Sequence, residues 1–354
     1  MQEIMIPLLR CPVSRTPLKL ELISHSIKAY NGRQQEIVSE GILFATADWF
    51  YPVIDGIPRL IVEAFSDYSD FLREHLPDYE SRLDHLMNKY PGLIKYVNAK
   101  NSHTKKSFSQ EWGLFNYGED KTWDANRAEM INRFFVETDE NSESIRGKLV
   151  FDAGCGNGLL DELIAGSGAT VLAMDLSESV LRAFAHNQHA NAFFIQGDVQ
   201  FPPLVFEAFD IVHCSGVLIC TNNTELSFSC IDPCVKKGGK LSVWLYHPRK
   251  NITHNIFNFT RRFSSRLPLR IQYYLYLFTI FPISYLVKRL KGNKQNPREM
   301  MIDILDWFSP QFRWEHEPNE AESWFHKRNY KGIKVTTNDL FGFNIIGTKI
   351  RQSL

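Results

Sequence analysis

The sequence contains no CxxC pair; its six cysteines stand apart at positions 11, 155, 214, 220, 230 and 234. That excludes a dithiol redox motif and a zinc site built from two CxxC knuckles. Cys230 and Cys234, four apart, would share a helical face and read as buried thiols. The chain also lacks a charge excess, with 40 Lys and Arg against 40 Asp and Glu. Such a balance gives no global footprint for nucleic acid, and no nucleic-acid partner is expected. There is no internal repeat, no low-complexity tract, and no apolar run of the ~20 residues that a membrane-spanning helix needs. Residues 1–10 lack the basic stretch followed by a roughly 7–15-residue apolar run of a secretory leader. With the scattered cysteines, this predicts a reducing, cytoplasmic compartment.

What is present is aromatic. The 354 residues include 26 Phe, 13 Tyr and 7 Trp, which favours a large core, an apolar ligand site, or both. The length suits one large domain with an accessory one. Residues 1–63 read as a small β-rich module punctuated by Cys11-Pro12, Asn31-Gly32, Tyr51-Pro52 and Asp55-Gly56. Residues 64–147 are polar and helical in pattern. Residues 148–354 form the main domain, with an insertion at 248–310. In its first part, strands at 148–153, 170–175, 192–196, 209–215 and 239–246 alternate with helices at 158–165, 178–189 and 224–235. Alternation of that kind with short connections predicts a parallel sheet with crossover helices on both faces. Two last strands are expected at 332–337 and 344–349.

Gly154, Gly156 and Gly158 follow the first of these strands and precede a helix. Glycines there permit a tight turn and close approach of backbone to a ligand, and the helix N-terminus favours an anionic group. Asp175 ends the second strand, where doubly wound folds place a ribose; a carboxylate can accept from both hydroxyls. Its plainer reading is a helix cap, for which Ser177 is equally suited. Asp198, in Gly197-Asp198-Val199, could accept an exocyclic amine or simply close a turn. Phe209-Asp210-Ile211-Val212-His213-Cys214-Ser215 aims its carboxyl end at the same crevice.

In order and spacing, GKLVFDAGCGNGLL, LAMDLSESV, FIQGDV, FDIVHCSGVL and KKGGKLSVWLY resemble class I S-adenosylmethionine-dependent methyltransferases of the ubiquinone-biosynthesis and small-molecule type. The likeness implies a Rossmann-like α/β fold, its seven-stranded sheet ending in an antiparallel strand, with S-adenosyl-L-methionine as cofactor. It assigns cofactor binding to Asp152, Gly154, Cys155, Gly156, Asn157, Gly158, Asp175, Leu176, Asp198, Val199 and Ser215. Phe108-Ser109-Gln110-Glu111-Trp112 and Trp123-Asp124-Ala125-Asn126-Arg127 look like the family's helices ahead of the domain. Asp306-Trp307-Phe308-Ser309-Pro310, His316 and Trp324 look like its substrate cap. The sequence departs from the family where many relatives carry His-His-Thr-Pro-Asp and this chain has Ile219-Cys220-Thr221-Asn222-Asn223. These positions supply no histidine as an inherited general base, which leaves His247, His316 and Asp306 as the candidates, each with a structural role as the plainer reading. The N-terminal module resembles the zinc-ribbon-like domain of methyltransferase activators through Leu9-Arg10-Cys11-Pro12 and Tyr51-Pro52-Val53-Ile54-Asp55-Gly56-Ile57-Pro58. Ser14, Phe44 and Ala47 occupy the other three ligand positions, so the module is expected to hold no metal.

The insertion supplies the acceptor expectation. Ile252, Ile256, Phe259 and Phe263 share one helical face, Arg261, Arg262, Arg266 and Arg270 follow, and 271–287 is largely apolar before Lys288, Arg289 and Lys291. That pattern fits a helical cap for a small-molecule or lipid-linked acceptor, with peripheral membrane contact through 251–291 as one reading and a plain lid as the other. The function expected is direct in-line methyl transfer. The competing readings are a catalytically inactive methyltransferase-fold binding protein and a nicotinamide oxidoreductase, the latter disfavoured because its glycines would be spaced GxGxxG.

Overall fold

The computed structural model describes residues 1–46, 48–113, 125–249, 252–293 and 295–350. Ala47, Trp123 and Asp124 of the motifs above, and Asn251 at the start of the insertion, lie outside the described residues.

Among the described residues, eleven strands form one sheet. They are β1 (Leu18–Tyr30), β2 (Arg33–Ala45), β3 (Phe50–Ile54), β4 (Ile57–Leu60), β5 (Leu149–Ala153), β6 (Thr170–Asp175), β7 (Ala192–Gly197), β8 (Phe209–Ser215), β9 (Val235–Tyr246), β10 (Tyr330–Asn338) and β11 (Gly342–Lys349). Their order is β1-β2-β3-β4-β7-β6-β5-β8-β9-β11-β10. From β7 to β9 the strands are parallel, and β11 joins β9 antiparallel, with Ile345 opposite Val243. The sheet therefore does not end at seven strands. β7 would leave a row of open amides and carbonyls, and β4 covers it in parallel register, Arg59 against Gln196 and Leu60 against Gly197.

The N-terminal strands are set by their turns. Asn31-Gly32 and Asp55-Gly56 both take the left-handed region at both residues, the geometry of a two-residue hairpin. Trp49, Phe50 and Tyr51 are buried in the same continuous core as Leu172, Ile195 and Leu241. Cys11 is buried too; its thiol lies 3.2 Å from the Tyr51 hydroxyl and accepts from the Ser14 amide at 3.3 Å. Among the described residues, no group of three or more His, Cys, Asp or Glu is placed to hold a metal.

Helices fill the spacer and the insertion. The spacer contributes Ser69–His75, Tyr79–Lys89, Pro91–Trp112 and Arg127–Thr138, the last begun by a reciprocal Asn126–Glu129 cap. The insertion contributes Ile252–Ser264, Leu269–Thr279, Phe281–Leu290 and Pro297–Phe308. Its apolar run is cut in two because Pro282 sits in the first turn of the third of these helices, where its missing N–H costs nothing. Tyr276, Met301, Ile304, Leu305 and Phe308 form a separate small core that ties the insertion together. Among the described residues, no helix is long and apolar enough to cross a membrane.

Candidate functional site

A pocket opens at the carboxyl ends of β5, β6, β7 and β8, on both sides of the point where the chain reverses its direction of strand addition. Open parallel sheets bind ligands at such a point. Gly154, Met174, Asp175, Leu176, Gly197, Asp198, Val199, Ser215, Gly216 and Val217 line its floor. Helix Pro91–Trp112 forms one wall with Lys100, Asn101, Thr104, Phe108 and Trp112. Cys220, Thr221, Asn222, Asp306 and Phe312 form the other.

The glycine loop is shaped for close approach. A Cβ on Gly154 would overlap the Val217 side chain, and one on Gly156 would lie 2.5 Å from the Trp112 ring. All three loop glycines have positive φ. The loop's amides, however, bond largely within the protein. Those of Gly154 and Cys155 donate to the Met174 carbonyl and that of Gly158 to the Cys155 carbonyl. The Gly156 amide donates to Asp175 Oδ2 at 3.0 Å. Asn157 Oδ1 accepts from the Leu159 amide, starting the helix Leu159–Gly166.

Asp175 faces the pocket, and its Oδ1 also accepts from the Ser177 amide and hydroxyl, at 2.8 and 2.7 Å. Burial pushes this carboxyl up, and the Ser177 and Gly156 bonds oppose that. Asp175 thus organises the glycine loop from the edge of the pocket. Asp198 is more fully engaged. Lys100 pairs with its Oδ2, Asn101 donates to the same oxygen at 3.1 Å, and the Gln200 amide donates to Oδ1 at 2.9 Å. Asn101 and Lys105 in turn hold buried Glu63 at 2.9 and 2.8 Å. Helix Pro91–Trp112 is thus pinned over the pocket by buried polar pairs. Sequence reasoning reached residues 108–112 only as a helix ahead of the domain and not as a pocket wall, although Lys100, Thr104, Phe108 and Trp112 recur every four residues.

The structure brings Gly154, Asp175, Leu176, Asp198, Val199 and Ser215 to the pocket. Cys155, Gly156, Asn157 and Gly158 shape the loop from beside it. Asp152 lies beneath, where its Oδ1 is 3.0 Å from His213 Nδ1. The other ring nitrogen of His213 is 2.9 Å from Glu137. Burial disfavours charge on this imidazole, but the two carboxylates outweigh it and raise it from 6.5 to about 10.

Of the three base candidates, only Asp306 lines the pocket. His247 is bonded to Asn338 Oδ1 at 2.7 Å and packs on Phe343. His316 is bonded to Glu320 at 3.0 Å and packs on Trp324, itself core rather than cap. Both histidines serve the C-terminal packing instead. At the departure from the family pattern, Ile219 is buried in the core, and Asn222 is held by Gln200 at 2.7 Å and Tyr96 at 3.0 Å. Burial, then the charge of Asp306, pushes the Cys220 thiol up to about 12, so it is no nucleophile.

Residues 151–243 match the family model described as a methyltransferase domain. The ubiquinone biosynthesis O-methyltransferase of Coxiella burnetii is 31% identical over 115 residues, 32% of this chain and 49% of that protein. The malonyl-[acyl-carrier protein] O-methyltransferase of Pectobacterium atrosepticum is 39% identical over 67 residues, 19% of this chain and 26% of that protein. The chain thus spans about half or less of the length of these curated relatives. Among solved structures, the magnesium protoporphyrin IX methyltransferase of Synechocystis PCC 6803 with bound SAH aligns over 70% of this chain and 97% of its own, at 15% identity and a TM-score of 0.42.

Proposed function

We propose that this chain is an S-adenosylmethionine-dependent methyltransferase that methylates an oxygen of a small, apolar acceptor. The observation that carries the reading is the pocket floor, where the ends of four parallel strands set Gly154, Asp175, Asp198 and Ser215 around one cavity inside the region that matches a methyltransferase domain. The residues fit such a donor. Asp175 suits a ribose, Gly154 brings bare backbone to the pocket, and the Phe108 and Trp112 rings supply apolar walls. Oxygen as the acceptor atom is supported by the names of the two curated relatives, both O-methyltransferases.

A sulfonium donor brings its methyl group already activated. The chain's task is then alignment, worth up to roughly 7–11 kcal/mol, and exclusion of water from a reaction in which charge is neutralised. Helix Pro91–Trp112 closes one side of the pocket and the insertion supplies Asp306 on the other. Calorimetric titration tests the reading. S-adenosylmethionine and S-adenosylhomocysteine are expected to bind and NAD is not; no binding of either sulfur compound would overturn it. A hydrogen bond to a charged group contributes about 1.5–3 kcal/mol, so Asp175→Ala should weaken donor binding by at least about tenfold.

The acceptor reaches the enzyme at an anionic lipid surface. Phe259, Phe263, Tyr274, Phe278, Ile283, Leu286 and Leu290 are exposed along three successive helices, Phe278 and Leu290 by more than three quarters. Arg262, Arg266, Arg270 and Lys291 are exposed beside them. Apolar side chains flanked by cations are what an interfacial helix presents to lipid. Arg261 is excluded from this role because it turns inward and donates to the Pro310 carbonyl at 2.9 Å. The protein should co-sediment with phosphatidylglycerol vesicles, less so at high salt, and Arg262, Arg266 and Arg270 to Gln should weaken this without unfolding the chain. Equal recovery with phosphatidylcholine vesicles would remove the cations from the reading, and none with either would leave only the lid.

A further inference from the structure

Helix Pro91–Trp112 meets helix Pro297–Phe308 at the pocket, and each brings a carboxyl group. Asp306 lines the pocket beside Cys220 and Thr221. Glu111 lies against it, 2% exposed, and among the described residues its Oε2 has no hydrogen-bond partner. Burial, and then the charge of and hydrogen bond to Asp306, hold the Glu111 carboxyl well above the ordinary carboxylate range. Two carboxyl groups in contact, one of them fully buried, do not both ionise; they share one proton and titrate as a pair.

The pocket's other polar groups have other roles. Asp198 is committed to Lys100, Asn101 and Gln200, and Asp175 to the glycine loop. Cys220 keeps its proton, and Asn222 is an amide. His247 and His316 lie elsewhere. Tyr246 stands near both carboxyl groups, with Arg313 beside it. The guanidinium of Arg313 lies 4.0 Å over the Tyr246 ring and 3.8 Å over the Trp307 ring, and it pairs with Glu315 at 2.6 Å.

We propose that Asp306 is the catalytic base and Glu111 its positioning partner: Asp306 takes the proton of an acceptor hydroxyl while Glu111 keeps the shared proton and holds Asp306 in place. This rests on the methyl-transfer reading above. As the acceptor oxygen bonds to the methyl carbon, the carbon–sulfur bond breaks and its electron pair stays on sulfur. The hydroxyl proton passes to Asp306 and later to solvent. The acceptor is therefore a hydroxyl compound that is not ionised by itself at neutral pH.

Two phenols of different acidity test this, para-cresol and para-nitrophenol, the second largely ionised in mildly alkaline solution without help. Removal of a general base costs about 10²–10⁴-fold. Asp306→Asn should lose at least about hundredfold in kcat/KM on para-cresol and less than about tenfold on para-nitrophenol. Glu111→Ala should lose transfer and Glu111→Gln, which keeps a hydrogen-bond donor, should restore most of it. The infrared C=O stretch of a protonated carboxyl should persist in mildly alkaline solution in the wild type and diminish in Glu111→Gln. Each variant is first shown to bind S-adenosylhomocysteine as the wild type does. Equal losses on both phenols, or a wild type that binds the donor and methylates neither, would overturn the proposal. A wild type that binds no donor would instead remove the methyl-transfer reading beneath it.

Discussion

Replacing His213 by Leu is expected to destabilise the protein by about 3–5 kcal/mol near neutral pH, the cost of breaking a buried ion pair by removing one partner. The imidazole is 1% exposed, between Asp152 Oδ1 at 3.0 Å and Glu137 Oε2 at 2.9 Å. Without it, two carboxylates remain buried with no cation between them. The pH dependence has a definite sign. Raised from 6.5 to about 10, His213 contributes stability that is fully present below its unfolded value and is lost as pH rises through about 10. Asp161, fully buried beside Asp152, acts in the same direction. Burial and then the Asp152 charge hold it well above its ordinary range, so the folded chain keeps a proton that the unfolded chain releases. Each retained proton lowers stability by about 1.4 kcal/mol per pH unit. Urea unfolding between pH 6.5 and 10 should therefore show stability falling toward alkali in the wild type. In His213→Leu the His213 part of that slope is absent, so the deficit is largest near neutral and shrinks toward the alkaline end. A wild-type stability that is flat across this window would show that His213 is not charged.

This network was not legible in the sequence because its members are far apart along the chain. His213 sits 61 residues from Asp152 and 76 from Glu137. A histidine inside an apolar strand offers no signal of which charges the fold will set against it. β6 and β8, by contrast, have the bounds that their short apolar runs predict. Both are buried over most of their length, and Asp175-Leu176-Ser177 and Ser215-Gly216 end them. The hairpins at Asn31-Gly32 and Asp55-Gly56 were legible for a similar reason, since turn chemistry is local. The pairing of β4 with β7 was not, because nothing in Ile57–Leu60 names its neighbour.

The pocket was half legible. Its floor follows from strand ends, and the reading from order and spacing reached Gly154, Asp175, Asp198 and Ser215. Its wall does not. Helix Pro91–Trp112 begins with buried Ile94 and Val97 but then buries Lys100, Asn101, Ser107 and Glu111. The stretch reads as helical, yet apolar periodicity does not show which face turns inward where that face is polar. Such a face is tolerated because Lys100 and Lys105 have Asp198, Glu63 and Asp67 as partners, and an unpaired charge would not be. The same helix engages Asp198, which sequence reasoning had offered to the donor.

Gly154→Ala is expected to cost about 2–6 kcal/mol, summing about 1–3 for backbone strain and about 1–3 for overpacking. At φ 120° the position is one that L side chains rarely adopt, and the new Cβ would overlap Val217. The two costs can be separated. Gly216 has φ 74° and nothing within 4 Å of its ideal Cβ, so Gly216→Ala carries the backbone cost alone, about 1–2 kcal/mol. Val217→Ala in the Gly154→Ala background removes both Cγ atoms and should recover part of the overpacking cost but none of the strain. Urea unfolding of the three variants reads the stabilities, and titration with S-adenosylhomocysteine reads the pocket. Val217 lines the cavity, so pushing it away from β5 shifts the pocket floor where Ser215 and Gly216 also stand. Gly154→Ala should therefore lose donor affinity by at least about tenfold, the equivalent of 1.4 kcal/mol, even in solvent where it remains folded. The double variant should regain affinity more fully than stability. Equal losses of stability in Gly154→Ala and Gly216→Ala would show that the close approach of Val217 contributes nothing, and the loop's glycines would then be explained by backbone conformation alone.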